Sequence, residues 1–203
     1  MVLVPKTGSN KFDDFYIDLI ILLKINSVML KSLVFLFFIS LVSLPTISNA
    51  QSPEKNLKKM GITLKNPEPF KGSIVKAVRT GNLVFLSGHG PVKPEGGMVT
   101  GKLGTELTVT EGRAAAKLVG IDLLTSLKAE IGDLSKVKKI VKVLGMVNAS
   151  PEFDEQPQVM NGFSDFMVEV FGEKGRHARS AVGMGSLPGN IALEIEMIVE
   201  IED

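Results

Sequence analysis

Residues Ile191 to Ile201 alternate strictly between apolar and polar side chains, a pattern that only a strand with two different faces can use. Leu193, Ile195, Met197, Val199 and Ile201 fall on one side, and Glu194, Glu196 and Glu200, followed by Glu202, on the other. A second strand precedes it: Ala178 to Gly183 alternates small and polar residues, and a Leu-Pro-Gly-Asn turn within Ser186 to Asn190 joins the two. The pair is expected to deliver a cation, Arg179, and a carboxylate, Glu194, to the same region. An arginine fixed on a rigid strand suits a substrate carboxylate, because its planar fork donates two parallel charge-assisted hydrogen bonds. The plain alternative is a surface arginine paired with glutamate.

The upstream pattern supplies the other layers. Ile62-Thr63-Leu64 reads as a short edge strand after a Lys-rich polar segment (Lys55, Lys58, Lys59), and Gly81-Asn82 marks a hairpin between Ile74–Arg79 and Leu83–Ser87. A Gly- and Pro-rich loop follows from Gly88 to Gly104, with a brief strand at Met98-Val99-Thr100. Thr108 and Glu111 have capping-box spacing and predict a helix to about Glu130, with Gly132 just beyond its end. Its core stripe is expected at Ala114, Leu118, Ile121 and Leu124, flanked by Ala115, Val119 and Leu127; Gly112 and Gly120 read as mild weak points. Lys139 to Val147 reads as a buried strand. Pro157 or Val159 opens a second helix, with Phe163, Phe166, Met167, Val170 and Phe171 inward and Gly172 as its stop. The fold class is therefore α+β: one domain with two helices on one face of a mixed sheet. Something must also cover the other face of a strand that is apolar on both sides.

Composition narrows the function. The chain has 203 residues, a formal charge of +1, no Cys and two His. Disulfides, thiolate nucleophiles and Cys-type zinc sites are excluded, and a multi-histidine metal site is not expected. The basic cluster Lys138, Lys139 and Lys142 has no interleaved aromatic residues to stack bases, so no nucleic-acid partner is expected. Met29-Leu30-Lys31-Ser32, the apolar run Leu33 to Leu44 and Ser48-Asn49-Ala50 form the three parts of a secretory signal peptide over residues 29–50. The apolar run is short for a bilayer span, which needs about 20 residues. A secreted or periplasmic protein is expected, with cleavage after Ala50, a mature domain over 51–203, and membrane contact only through the signal segment. Residues 1–28 read as an upstream extension, either a misassigned start or a long n-region.

Ala178-Arg179-Ser180, the Leu187-Pro188 turn and Leu193-Glu194-Ile195-Glu196 resemble the closing signature of the Rid family, also called YjgF or L-PSP endoribonuclease. Gly81 to Gly88, Gly-Asn running into Ser-Gly, resembles the family's earlier strand, and the likeness covers nearly everything after residue 70. The resemblance implies a chorismate-mutase-like domain and a homotrimer whose three sheets form a barrel-like core, with sites between subunits. It implies hydrolysis of 2-imino or enamine acids to 2-keto acids and ammonia, without a cofactor or metal. Carried over by position, Arg179 grips the substrate carboxylate, Glu194 orients water, Ser87 and Gly88 line the wall, and Asn161 stands at the start of the second helix. His89 and His177 fall near the proposed pocket, and alternation puts His177 and Arg179 on one strand face.

Two departures from the family pattern stand out. Many active members carry Gly-Pro-Tyr-Val where this chain has Gly72-Ser73-Ile74-Val75, and its one Tyr, Tyr16, lies upstream of the domain. The loop Asn148 to Gln158 is also a few residues longer. A non-catalytic trimer that binds a small carboxylate or keto acid is the rival reading. RNA cleavage, the source of the older family name, lacks a visible catalytic cleft.

Overall fold

In the computed structural model, Thr108 accepts from the backbone N–H of Glu111 while the Glu111 carboxylate takes the Thr108 N–H, closing the capping box read from the sequence. The structure describes residues 52–66 and 72–202, together with Tyr16, Ile20 and Lys24, which are helical and exposed. The chain divides into two units, Met1–Asn49 and Ala50–Asp203. The signal segment and most of the upstream extension lie outside the described residues. Among the described residues, no helix is long and apolar enough to cross a membrane.

The second unit begins with a short helix, α1 (Pro53–Lys59), capped by Ser52. It continues through β1 (Ala77–Thr80), β2 (Leu83–His89), α2 (Val109–Ile131) and β3 (Val137–Asn148) to α3 (Gln156–Phe171), β4 (Ala178–Met184) and β5 (Leu193–Ile201). The five strands form one mixed sheet in the order β1-β2-β5-β3-β4, in which only β3 and β4 run parallel. Both long helices lie on one face, as the sequence pattern requires. Between them and the sheet sits one core, with Leu123, Leu124 and Leu127 from α2, Phe163, Phe166 and Met167 from α3, and Leu193, Ile195 and Val199 from β5.

Three expectations are corrected. Ile62-Thr63-Leu64 is irregular, and the regular element in that region is α1, whose Leu57 is buried and whose Asn56 donates to the Val170 carbonyl of α3. Met98 and Thr100 make isolated bridges to Val92 and Ile191, not a strand. The α2 stripe is rotated: Ala114 is exposed, and the buried face is Gly112, Ala115, Ala116, Val119, Gly120, Leu123, Leu124 and Leu127. The two glycines explain the rotation. A Cβ at Gly120 would stand 2.8 Å from the Phe166 ring, and one at Gly112 2.8 Å from Leu103. They are contact points, where a side chain would hold α2 away from α3 and the loop beneath.

The other face of the sheet carries an apolar stripe near the β1 edge and a second apolar patch near the β4 edge. Lys142 stands beside Ile198, and Glu196 and Glu194 stand beside Leu144 and Met146. Register places Val78, Phe85 and Ile198 side by side, then Leu144, Met146 and Val182 on the neighbouring strands. Val78, Phe85 and Val182 are 53%, 42% and 39% exposed, and among the described residues no element covers them.

Candidate functional site

Arg179 pairs with Val143 across the β3–β4 ladder, and Val143 is buried beneath the helices, so Arg179 projects toward the helical side at the sheet edge. There α3 holds its guanidinium. Nη1 donates to Asn161 Oδ1 at 3.0 Å and to Ser164 Oγ at 2.9 Å, and Nη2 donates to the Pro157 carbonyl at 3.2 Å. Pro157 sits in the first turn of α3, and Asn161 and Ser164 are three residues apart, which stacks them on one face. Asn161 is therefore well inside the helix, not at its start. Guanidinium has five N–H donors. Three are committed to α3, and among the described residues Nε–H and one Nη2–H have no partner.

His177 precedes β4 and lies 3.0 Å from the same Ser164 hydroxyl through Nε2, while Nδ1 donates to the Gly175 carbonyl at 2.7 Å. Burial, and then the nearby Arg179 charge, hold its pKa below the ordinary histidine value. Burial lowers the pKa of Arg179 itself, against the attraction of Asp165.

The other candidates form a second group. Between Leu86 and His89 the β2–β5 register slips, so that Ser87 and Gly88 bulge from the ladder. Glu194 folds over that bulge: a Cβ on Gly88 would fall 1.7 Å from its Oε1. Only glycine leaves room for the carboxylate there. Glu194 pairs with Met146 and faces the sheet's open side, half-buried, and burial followed by repulsion from Glu196 raises its pKa. The Ser87 hydroxyl donates to the Lys76 carbonyl at 3.4 Å.

Arg179 and Glu194 thus lie on opposite faces of the sheet, and the expectation that one chain delivers them to one region is corrected. The cause is parity: Arg179 shares register with inward Val143, whereas Glu194 flanks inward Leu193 and Ile195. β2 and β4 are also three strand spacings apart, about 14 Å. The chain therefore holds two separate groups, Arg179–Asn161–Ser164 and Ser87–Gly88–Glu194.

His89 belongs to neither half. It is buried and turned toward α2, its Nδ1 donating to the Ser87 carbonyl at 2.7 Å and its Nε2 lying 2.8 Å from Ser126 Oγ. The bulge reverses its face relative to a regular strand and makes it a brace for Ser87, not a pocket residue. Burial is the main cause that lowers its pKa. The folded state therefore prefers the neutral ring, and the stability this gives is complete above the unfolded value, 6.5, and lost as pH falls through that value toward the lower folded one. The urea midpoint of the parent should fall between pH 7 and pH 5, and His89→Gln should show a shallower fall.

Sequence reasoning did not find Ser164, the Pro157 carbonyl or Ser126. The three-residue spacing between Asn161 and Ser164 is the one signal that could have placed Ser164 beside Arg179. Among the described residues, no three His, Asp or Glu side chains come together as a metal site.

Comparison with known proteins decides the kinship. The family model for YjgF/chorismate mutase-like proteins, which carries the endoribonuclease description, matches residues 52–201. The chain belongs to the YjgF/chorismate mutase-like family. Protein TCP17 of Trypanosoma cruzi is 43% identical over 149 residues, which is 73% of this chain and 93% of that protein. The 2-iminobutanoate/2-iminopropanoate deaminase of Dermatophagoides farinae is 31% identical over 139 residues, 67% of this chain and 91% of the relative. Among solved structures, protein Atu1372 of Agrobacterium tumefaciens, of unknown function, is 41% identical with a TM-score of 0.70 and covers 76% of this chain and 96% of its own. The mixed α+β fold is thus that of the YjgF family, and a Rid-type function in general follows from the company it keeps.

Proposed function

We propose that this YjgF-family protein hydrolyses 2-imino or enamine acids to 2-keto acids and ammonia, at sites between the copies of a homotrimer. One observation carries the reading: α3 occupies three of Arg179's donors and leaves Nε–H and one Nη2–H, a pair suited to a carboxylate. The deaminase of Dermatophagoides farinae supports the reaction class. The two half-sites support the assembly, because groups two and three strand spacings apart, about 10 and 14 Å, on opposite faces meet only if one copy supplies Arg179 and a neighbour supplies Glu194 and Gly88.

In this reading Arg179 seats the carboxylate and fixes the C=N carbon for attack. Glu194, whose raised pKa makes it a better base than an exposed carboxylate, takes a proton from water as the oxygen bonds to that carbon. It returns that proton to nitrogen; the hydroxyl proton then passes to nitrogen as the C=O bond forms and the C–N bond breaks, and ammonia and the keto acid leave. Export through residues 29–50 would place the domain 51–203 outside the cytoplasm, where an amino-acid oxidase is a fitting source of imine.

The rival, a trimer that only binds small carboxylates, is favoured by one observation: residues 51–203 contain no Tyr. The test uses an amino-acid oxidase to generate the imino acid beside a trapping amine, with the purified protein and Arg179→Ala. Faster keto-acid release by the parent, reduced at least about 100-fold by the substitution, supports hydrolysis. Identical rates with the parent, the variant and no protein leave only the binding reading.

A further inference from the structure

We propose that Ser164 and His177 make anion binding at Arg179 a proton-linked event, in which His177 takes up a proton as a carboxylate seats on the guanidinium. The inference rests on the reading of Arg179 as the carboxylate anchor. It makes His177 a positioning residue that does not touch the substrate and acts through Ser164, whose hydroxyl turns to the anion when the ring is protonated.

Hydrogen-bond direction fixes the resting state. The Gly175 carbonyl can only accept, so the proton of the neutral ring sits on Nδ1, 2.7 Å away, and Nε2 is left as an acceptor. The Ser164 hydroxyl, 3.0 Å from Nε2, then donates to the ring while its oxygen accepts from Arg179 Nη1 at 2.9 Å. One hydroxyl thus links the charge of Arg179 to the protonation state of His177. A second proton on the ring reverses the middle bond: Nε2–H donates to Ser164, whose own proton must find a new acceptor. An anion on Arg179 brings one into the site.

The surrounding charges point the same way. On α3, Asp165 is bound to Arg113 of α2. In the turn before β4, Glu173 pairs with Arg176, and Lys174 donates to the Val137 carbonyl. On β3, Lys142 donates to Ser180 of β4. Phe163 meets the ring edge-on, with centroids 5.8 Å apart, and adds burial without charge. Arg179 is the one charge among these that acts appreciably on the ring, and it acts by repulsion. A carboxylate on Arg179 offsets that repulsion and makes protonation easier, while the cost of burial stays. Linkage is reciprocal, so the carboxylate should bind about fivefold more tightly at pH 5.5 than at pH 8.

The chain has only two histidines, so ring signals in NMR are assigned by the loss of one set in His177→Gln. The His177 pKa should rise in Arg179→Gln and in the parent with excess pyruvate, and should stay low in Arg179→Lys, which keeps the charge. Calorimetry of pyruvate binding at pH 6, in buffers of different ionisation enthalpy, should show proton uptake by the parent and by Glu194→Gln, and none by His177→Gln. A purely structural His177 would weaken binding without changing the proton count. Pyruvate binding that leaves the His177 pKa unmoved overturns the linkage and spares the anchor. If pyruvate gives no heat with any variant, the carboxylate anchor fails. The titration of Arg179→Gln then judges the coupling: a rise supports it and no rise overturns it.

Discussion

Gly162→Ala should cost the domain about 3 kcal/mol or more, with thermal midpoints falling by roughly 6–12 °C in calorimetry of the purified protein. Gly162 lies inside α3, where alanine is ordinarily the better helix former by about 1 kcal/mol. Propensity alone therefore predicts stabilisation. Geometry opposes it: a Cβ at Gly162 would stand 2.1 Å from the Arg113 carbonyl oxygen and 2.7 Å from its carbon, both backbone atoms of α2. Backbone inside a helix cannot swing aside as a side-chain tip can, so the two helices must separate. Separation also disturbs Phe166 and Met167, which fill the space above Gly120, and strains the Arg113 bonds to the Gln158 carbonyl and to Asp165. Overpacking ordinarily costs about 1–3 kcal/mol, and a backbone-to-backbone contact belongs at its upper end or beyond. Gly120→Ala is the comparison: its new methyl meets the Phe166 ring and the flexible end of Met167, and should cost less. Equal or greater stability of Gly162→Ala would show that α2 and α3 are not held at this separation.

How far the sequence revealed this arrangement follows from which patterns are local. The β5 alternation, the Thr108–Glu111 capping box and the Gly172 stop each depend on residues within a turn or a strand, and each reads directly. The α2 stripe does not. Its rotation is set by two glycines pressed against Leu103 and Phe166, and periodicity counts glycine as neither apolar nor polar. α1 was hidden for a related reason: seven residues with one buried Leu give too little apolar period to register. At the site, residue types were legible and geometry was not. Arg179 and Glu194 are fifteen positions apart on strands that never pair, since β3 lies between them. No counting rule across a turn tells which face each receives. His89 shows the same limit, because the two-residue bulge that turns it toward Ser126 leaves no mark in the alternation of β2.

Phe85→Lys should convert the proposed trimer into monomers, read by analytical ultracentrifugation, and imine hydrolysis should vanish with it. Phe85 sits in the apolar stripe of the open sheet face between Val78 and Ile198, 42% exposed in the isolated chain. The direct register neighbours here, Val78 and Ile198, are apolar. The carboxylates on this face stand only diagonally: Glu200 is already bound by Lys138 and Asn82, and Glu196 lies opposite the β2 bulge. Burying an ammonium costs several kcal/mol, only partly offset by a diagonal carboxylate, whereas covering one phenylalanine contributes about 1.5–3 kcal/mol. The charge therefore outweighs the contact it replaces. A closed trimer multiplies the effect, since every copy carries the substitution. The same change on an isolated chain should be mild, because β2's buried side, Val84 and Leu86, is untouched. Loss of assembly with an unchanged circular dichroism spectrum separates the two cases. Activity completes the argument: Arg179 stays bound to Asn161 and Ser164 in a monomer, and Glu194 stays over Gly88, yet neither half meets the other. A Phe85→Lys monomer that hydrolyses imines at the parent's rate would mean that one half-site suffices, and the division of the site between copies would fall.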